Sequence, residues 1–269
     1  MKEIAELLAA TRIYTRCKIP TIETIRQERL QRVQEELDTV AHLDDVLSSH
    51  NLQGVDLADV EKLKRMITRL RAQEQELAFH RGLLRAQQEF SGPKGDYSAE
   101  NFAFGSTPFP TWLNLFTQST VVDAIARASK PAKLTVFGSS SGSLVLFAAI
   151  ALGLSSVGVE ILPFLHEQAE QTREGLRIPE DKCRFICADM LTVPLQDTAI
   201  LLLTSQCWDA ELYQQVQRKL ETELRPGTLV LDYKNTLQRS QHFRMAQHLA
   251  NQRVSWTNSQ SLFIFQRVD

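Results

Sequence analysis

A chain of 269 residues has room for one large domain or two small ones, and its 43% hydrophobic and 23% charged residues are the proportions of a soluble globular protein. A formal net charge of −2 gives no global pull toward nucleic acid or an anionic membrane. No apolar run has the length that spans a bilayer, and the amphipathic start MKEIAELLAATR, with its acids, is unlike a signal or transit peptide. Cys17, Cys183, Cys187 and Cys207 show neither a disulfide framework nor metal-ligand spacing. Cys183 and Cys187, in one predicted strand, read as core thiols rather than zinc ligands, and the four together predict no metal site and a reducing, cytoplasmic compartment.

Residues 1 to about 90 are predicted to be helical, in helices near 2–16, 21–49 and 57–90. Leu30, Val33, Leu37 and Val40, and then Val60, Leu63, Ile67, Leu70 and Leu77, recur three and four apart. That spacing is the seam of a coiled coil or helical hairpin. Gly54 and the N-cap candidate Asp56 mark the connection. The expected division is a helical arm over 1–92, an aromatic loop with a lead-in helix over 93–133, and a main domain over 134–269. The arm packs either on the main domain or on a second copy, so a homodimer through these helices is one candidate assembly. Its mixed charges are a solvated face, not a phosphate-binding stripe. Residues 91–120 gather Gly, Pro and Ser with Tyr97, Phe102, Phe104, Phe109, Trp112 and Phe116. They either plug the seam between domains or cover a ligand beyond them.

From Leu134 the pattern changes. A strand over 134–137 is followed by the Gly/Ser turn 138–143, a small-residue apolar helix over 144–152, and a strand over 157–159 ending on Glu160. Short apolar runs bounded by turn residues fit strands covered on both faces. The turn lets a ligand approach backbone amides at a helix start. Strand, tight turn, helix and a strand ending in a carboxylate form the layout of a nucleotide-binding βαβ unit, in which the acid meets a ribose hydroxyl.

Further on, the sequence predicts a helix over 163–175, a strand over 183–187 ending in Asp189, an apolar strand over 199–204 leading into Ser205, Gln206 and Trp208, and a helix over 209–224. A strand over 228–232, a helix over 240–251 and two strands over 253–257 and 261–267, joined by a turn at 258–260, complete the chain. The expected fold is α/β: a doubly wound, mostly parallel seven-stranded sheet with an antiparallel C-terminal hairpin, preceded by the helical region. Ligands of such sheets lie beyond the carboxyl ends of the strands, where the Gly138 turn, Glu160, Asp189 and Ser205 converge. His42, His50, His80 and His166 stand alone in helical or turn contexts and read as ordinary polar residues.

VFGSSSG, GVEI and CADML, with the hairpin, resemble the class I S-adenosylmethionine (SAM) dependent methyltransferases over about half of the chain. STP at residues 106–108, QDTAILLLTSQCWD and LRPGTLVL are most similar to the protein-lysine methyltransferases without a SET domain, of the histone type and the small mitochondrial and bacterial type. The resemblance implies the Rossmann-like methyltransferase fold, SAM as cofactor and a protein substrate. It implies cofactor contacts from Thr107, Gly138, Ser139, Ser140, Gly142, Glu160, Asp189, Met190 and Ser205. Tyr97, Phe104, Gln206 and Trp208 are the candidates for the substrate pocket. The sequence departs from the family pattern at Val136, where an acid is usual, and at Ser140, where glycine is usual. A methyltransferase fold that binds partners without catalysis is therefore the alternative. A third reading comes from G-x-S-x-G at residues 138–142, the nucleophile elbow of α/β-hydrolases with Ser140 as nucleophile. That fold requires strands upstream, where this chain predicts helix, and a histidine on a loop, whereas His242 and His248 fall on a predicted helix.

Overall fold

The computed structural model describes residues 22–91 and 97–268. The helix expected at 2–16, Cys17 and the SGPKG boundary at 91–95 lie wholly or mostly outside the described residues. The chain divides into two compact units, Met1–Arg32 and Val33–Asp269, and the features below belong to the second apart from the first part of the helix Ile22–Ala41.

Among the described residues the chain begins with helices α1 (Ile22–Ala41), α2 (Leu43–Ser49), α3 (Leu57–Gln73) and α4 (Leu77–Ser91). The two long helices read from the sequence are thus each broken once, at His42 and at residues 74–76. Asp56 caps α3 as expected, accepting from the amide of Asp59. The lead-in helices α5 (Phe109–Phe116) and α6 (Ser119–Arg127) follow, then β1 (Lys133–Phe137), α7 (Ser143–Ala151), β2 (Ser155–Glu160), α8 (Pro163–Gly175) and β3 (Cys183–Cys187). β4 (Ile200–Leu203), α9 (Ala210–Glu223), β5 (Leu229–Asp232), β6 (Phe243–Val254) and β7 (Thr257–Arg267) complete the fold.

The strands form one sheet in the order β3-β2-β1-β4-β5-β7-β6. β1 to β5 run parallel, and β7 pairs antiparallel with both β5 and β6. β4 and β5 are buried throughout, as their unbroken apolar runs require. All eight residues of α7 from Leu144 to Ala151 are buried, which explains why it shows no polar stripe.

The apolar seam of the early helices closes on the sheet rather than on itself. Val40, Leu43, Leu47, Val60, Leu63, Met66, Ile67 and Leu70 share one core with Phe109, Phe147 and the sheet residues Leu134 and Leu202. α3 lies against α7, and α4 against α8. A buried ion pair fixes the join: Arg71 grips Glu36 at 2.7 and 2.8 Å, and Glu36 also accepts from the amide of Phe109 at 3.2 Å. The expected boundary near residue 92 is therefore not where the compact units divide.

The helix expected at 240–251 is instead β6, paired along its length with β7 from Phe243↔Arg267 to Val254↔Thr257. The hairpin turns at residues 255–256, not at 258–260. A spacing of four, as between Met245 and Leu249, satisfies both a 3.6-residue and a two-residue period and so does not tell helix from strand here. Local helix propensity yields here to pairing with a buried neighbour. No helix among the described residues is long and apolar enough to cross a membrane.

Candidate functional site at the carboxyl ends of the strands

β1 leads into α7 through residues 138–142, where Gly138, Ser140 and Gly142 all have positive φ, at 73°, 54° and 81°. A Cβ on Gly138 would lie 2.2 Å from Thr204 Oγ1, and one on Gly142 would lie 2.5 Å from the Phe185 ring. Both positions therefore exclude any larger residue. The amides of Gly138 and Ser139 donate to the carbonyl of Val159 at 2.9 and 3.0 Å, which pins the turn to β2.

Glu160 closes this turn. Its Oε2 accepts from the Ser140 amide at 2.8 Å and its Oε1 from the Leu162 amide at 3.0 Å. Burial pushes its pKa up, and the bonds from Leu162 and Ser140 oppose that rise. A carboxylate has about four lone-pair sites, so Glu160 keeps capacity for a hydroxyl donor after these two bonds. Beside it, Ser139 Oγ is buried and has no hydrogen-bond partner.

Asp189, beyond β3, accepts from the Leu191 amide at 2.8 Å and from the Tyr97 hydroxyl at 2.5 Å. Tyr97 begins a strap that crosses the strand ends. Ser98 and Asn101 donate to Asp209 Oδ2 at 2.9 and 2.7 Å, and Asn101 Oδ1 accepts from the Asp209 amide at 2.8 Å. Ser106 exchanges backbone and side-chain bonds with Ser255 at 2.9 Å, and Thr107 meets the Tyr233 hydroxyl at 2.5 Å. Phe104 packs edge-on against Phe79 at 5.5 Å.

The loop after β4 is held from below. The Thr204 hydroxyl bonds the carbonyls of Phe137 and Gly138 at 2.9 and 3.2 Å. Ser205 and Tyr213 both donate to the buried carboxylate of Asp232, and Lys234 Nζ bonds the carbonyl of Trp208 at 2.7 Å. Burial raises the pKa of Asp232 to about 6 against the pull of the Ser205 and Tyr213 bonds.

Gly138, Ser139, Ser140, Gly142 and Glu160 thus form one continuous site, with Asp189 at the end of the next strand. Met190 is half-buried beside Asp189. Thr107 lies farther along the strand ends, over β5. The other expectations change. Ser205 is buried and turns its hydroxyl into Asp232, away from the turn. Trp208 is 6% exposed and packs with Tyr213, in a different apolar cluster from Phe104. Tyr97 packs against both of these clusters, that of Trp208 and that of Phe104; Gln206 sits half-buried in the short helical turn Ser205–Cys207. Thr204, Asp232 and the Asn101–Asp209 pair escaped sequence reading; an acid closing the apolar run of β5 was the one available signal.

The hydrolase frame is missing. Ser140 has the positive φ of an elbow nucleophile, but every strand among the described residues follows residue 132. His248 lies on β6, stacked on Phe263. β6 is four strands from β1, so the two are separated by roughly 19 Å at about 4.8 Å per strand. A surface concavity bordered by Lys133, Ser156, Glu180 and Arg184 lies at the opposite, amino ends of the strands.

No family model matches the chain, and no curated protein matches it. Solved structures similar to it include an RNA methyltransferase from Salinibacter ruber in complex with S-adenosyl-L-homocysteine, at 19% identity over 61% of this chain and 94% of that one, with a TM-score of 0.48. TrmN from Thermus thermophilus is 17% identical over 60% of this chain, which spans about half (52%) of that protein, with a TM-score of 0.44. Geranyl diphosphate C-methyltransferase from Streptomyces coelicolor is 11% identical over 54% of this chain and 74% of that one, also at 0.44. The seven-stranded order with its antiparallel C-terminal hairpin defines this chain's fold as the Rossmann-like methyltransferase fold.

Proposed function

We propose that the protein binds SAM at the residue 138–142 turn and transfers its methyl group to a lysine amine of a protein. The observation that carries this is the convergence at one crevice of a tight turn, a buried acid ending β2 and a second acid beyond β3. The residues fit the cofactor. Glu160 and Asp189 accept only donors, as ribose hydroxyls and an adenine amino group are, and the unpartnered Ser139 Oγ awaits a polar neighbour. When bound, SAM supplies an electrophilic methyl on a sulfonium.

The chain's own part is positioning and exclusion of water. The strap from Tyr97 to Thr107 crosses the strand ends, where it bonds Asp189, Asp209 and Tyr233. An acceptor lysine must be neutral to react, which an apolar surround favours by disfavouring the ammonium form. β7 pairs Phe263 with Asp232, so its earlier residues project past the end of β5 and carry Trp256 there. Trp256 is 39% exposed at this edge, with its ring 5.8 Å from that of the buried Tyr233, and its exposed part is suited to a lysine stem.

Val136, buried in the acid's usual place, favours the second reading, a module that binds without turnover. Calorimetry with SAM and its demethylated product, followed by labelled-methyl transfer onto a cell lysate with mass spectrometry of the products, separates the two. Binding with methylated lysine supports the enzyme. Binding without any transfer supports the module, and no binding overturns both.

A further inference from the structure

We infer that Asn101 is a positioning residue that ties occupancy of the cofactor site to the placement of the acceptor loop after β4. This rests on the SAM-binding reading above. The strap touches both regions within five residues. At one end the Tyr97 hydroxyl bonds Asp189, the acid at the cofactor side. At the other, Asn101 makes a reciprocal pair with Asp209, donating to its carboxylate at 2.7 Å and accepting from its amide at 2.8 Å.

The two ends are joined by one short, internally bonded turn. Residues Ala99–Phe102 form a single helical turn, closed by the Asn101 amide on the Ser98 carbonyl at 3.1 Å and by Asn101 Nδ2 on Ser98 Oγ at 3.0 Å. The Phe102 ring packs edge-on against Tyr97 at 6.1 Å, and its carbonyl is anchored by Gln87 at 2.6 Å. A donor arriving at Asp189 shares or displaces the Tyr97 bond, and the displacement reaches Asn101 through this turn.

Asp209 is where such a signal has an effect. It directly follows Trp208 and caps α9 through its other oxygen, which accepts from the Leu212 amide at 2.8 Å. Its pKa is held below the usual carboxylate value by the Leu212 amide and then by Asn101, so it stays charged and its bonds to the strap are charge-assisted. The same stretch is fixed on its other side by Ser205 on Asp232 and by Lys234 on the Trp208 carbonyl. Asn101, with Ser98 donating to the same carboxylate oxygen at 2.9 Å, is thus the strap's grip on a loop otherwise held from β1 and β5, and only Asn101 also takes the Asp209 amide. Losing it leaves the helix cap intact, because the cap uses the other carboxylate oxygen.

Amide exchange on the full chain, with and without S-adenosylhomocysteine, tests this in the wild type and in Asn101→Leu. The amides of Trp208, Leu212 and Tyr213 bond to Ser205 or Asp209, and none touches Asn101. In the wild type the ligand is expected to slow exchange at residues 138–142 and, by about tenfold, at those three amides, which is the size of one hydrogen bond. In Asn101→Leu the turn should still be protected while the three amides change less than about twofold. Equal protection of the three amides in both proteins overturns the inference, as does a wild type protected only at the turn. A wild type with no ligand protection anywhere overturns the SAM-binding reading itself. If Asn101→Leu does not fold, Asn101→Ser, which stays polar but lacks reach, takes its place in the same comparison.

Discussion

Glu160 accepts the amide of Ser140 at 2.8 Å, so the acid that ends β2 also closes the turn that ends β1. The sequence pattern assigns this acid to a ligand alone, whereas the structure gives it a second duty. Glu160→Ala should weaken SAM binding roughly ten- to a hundredfold, as expected for a hydrogen bond to a charged group. It should also lower the melting temperature, because the buried Leu162 amide and the part-buried Ser140 amide lose their acceptor. Calorimetry showing wild-type affinity in a folded Glu160→Ala protein would remove this carboxylate from the ligand site.

Ser140→Ala should fold and still bind SAM, since the position contributes its amide rather than its hydroxyl to the turn. Fluorophosphonate probes should leave the wild type unlabelled. Stoichiometric labelling at Ser140 would restore the hydrolase.

Asp232 should make stability depend on pH in the direction opposite to an acid whose pKa the fold holds below its ordinary value. Its folded pKa, about 6, lies above the ordinary 3.8, so the folded state holds the proton more tightly. The stabilisation is fully present below the ordinary value and is lost as pH rises through about 6. At 1.36 kcal/mol per unit the whole effect is on the order of 3 kcal/mol. Asp232→Asn removes the titration, so its stability relative to wild type should rise by about 2 kcal/mol between about pH 4.5 and about pH 7.5 in denaturant unfolding, the remainder of the change falling below that range. An unchanged difference would mean that this carboxyl titrates normally.

The early helices should be indispensable to the fold. Met66 is fully buried in the core that holds Phe109 and Phe147. Met66→Ala should cost about 2–5 kcal/mol. A fragment beginning at residue 93 should lose its cooperative melt, since it exposes the face of α7 that α3 covers. A fragment that melts cooperatively and keeps SAM affinity would show that the sheet stands without the arm.

The parallel half of the molecule was legible because each strand there is a short apolar run with a turn residue or an acid at its end. α8 and β3 fall on their expected residues. The helical seam was legible as a seam, but periodicity shows that a face is buried and not what buries it. β6 was misread because its residues are good helix formers and its partner lies in a strand that follows it. Within the site, the turn and both acids could be read from their places after strands. The aromatic residues could not, because ring packing depends on which cluster a side chain reaches. Trp208 joined Tyr213 and Phe104 joined Phe79.

β6 also bears on self-association. Its pairing with β7 shifts register between Met245 and Gln247, between Leu249 and Gln252, and between Gln252 and Val254. A sheet edge templates a further strand only where its free amides and carbonyls stand in a regular row, and each bulge breaks that row. Arg244 and His248 are exposed on this strand, bonded back to Gln266 and Ser261 of β7, and the Arg253 carbonyl is already taken by the Thr111 hydroxyl at 2.7 Å. The longest strand in the molecule is therefore a poor seed for fibrils or for edge-to-edge growth, and a substitution that straightened it would be expected to cost solubility before it cost the fold.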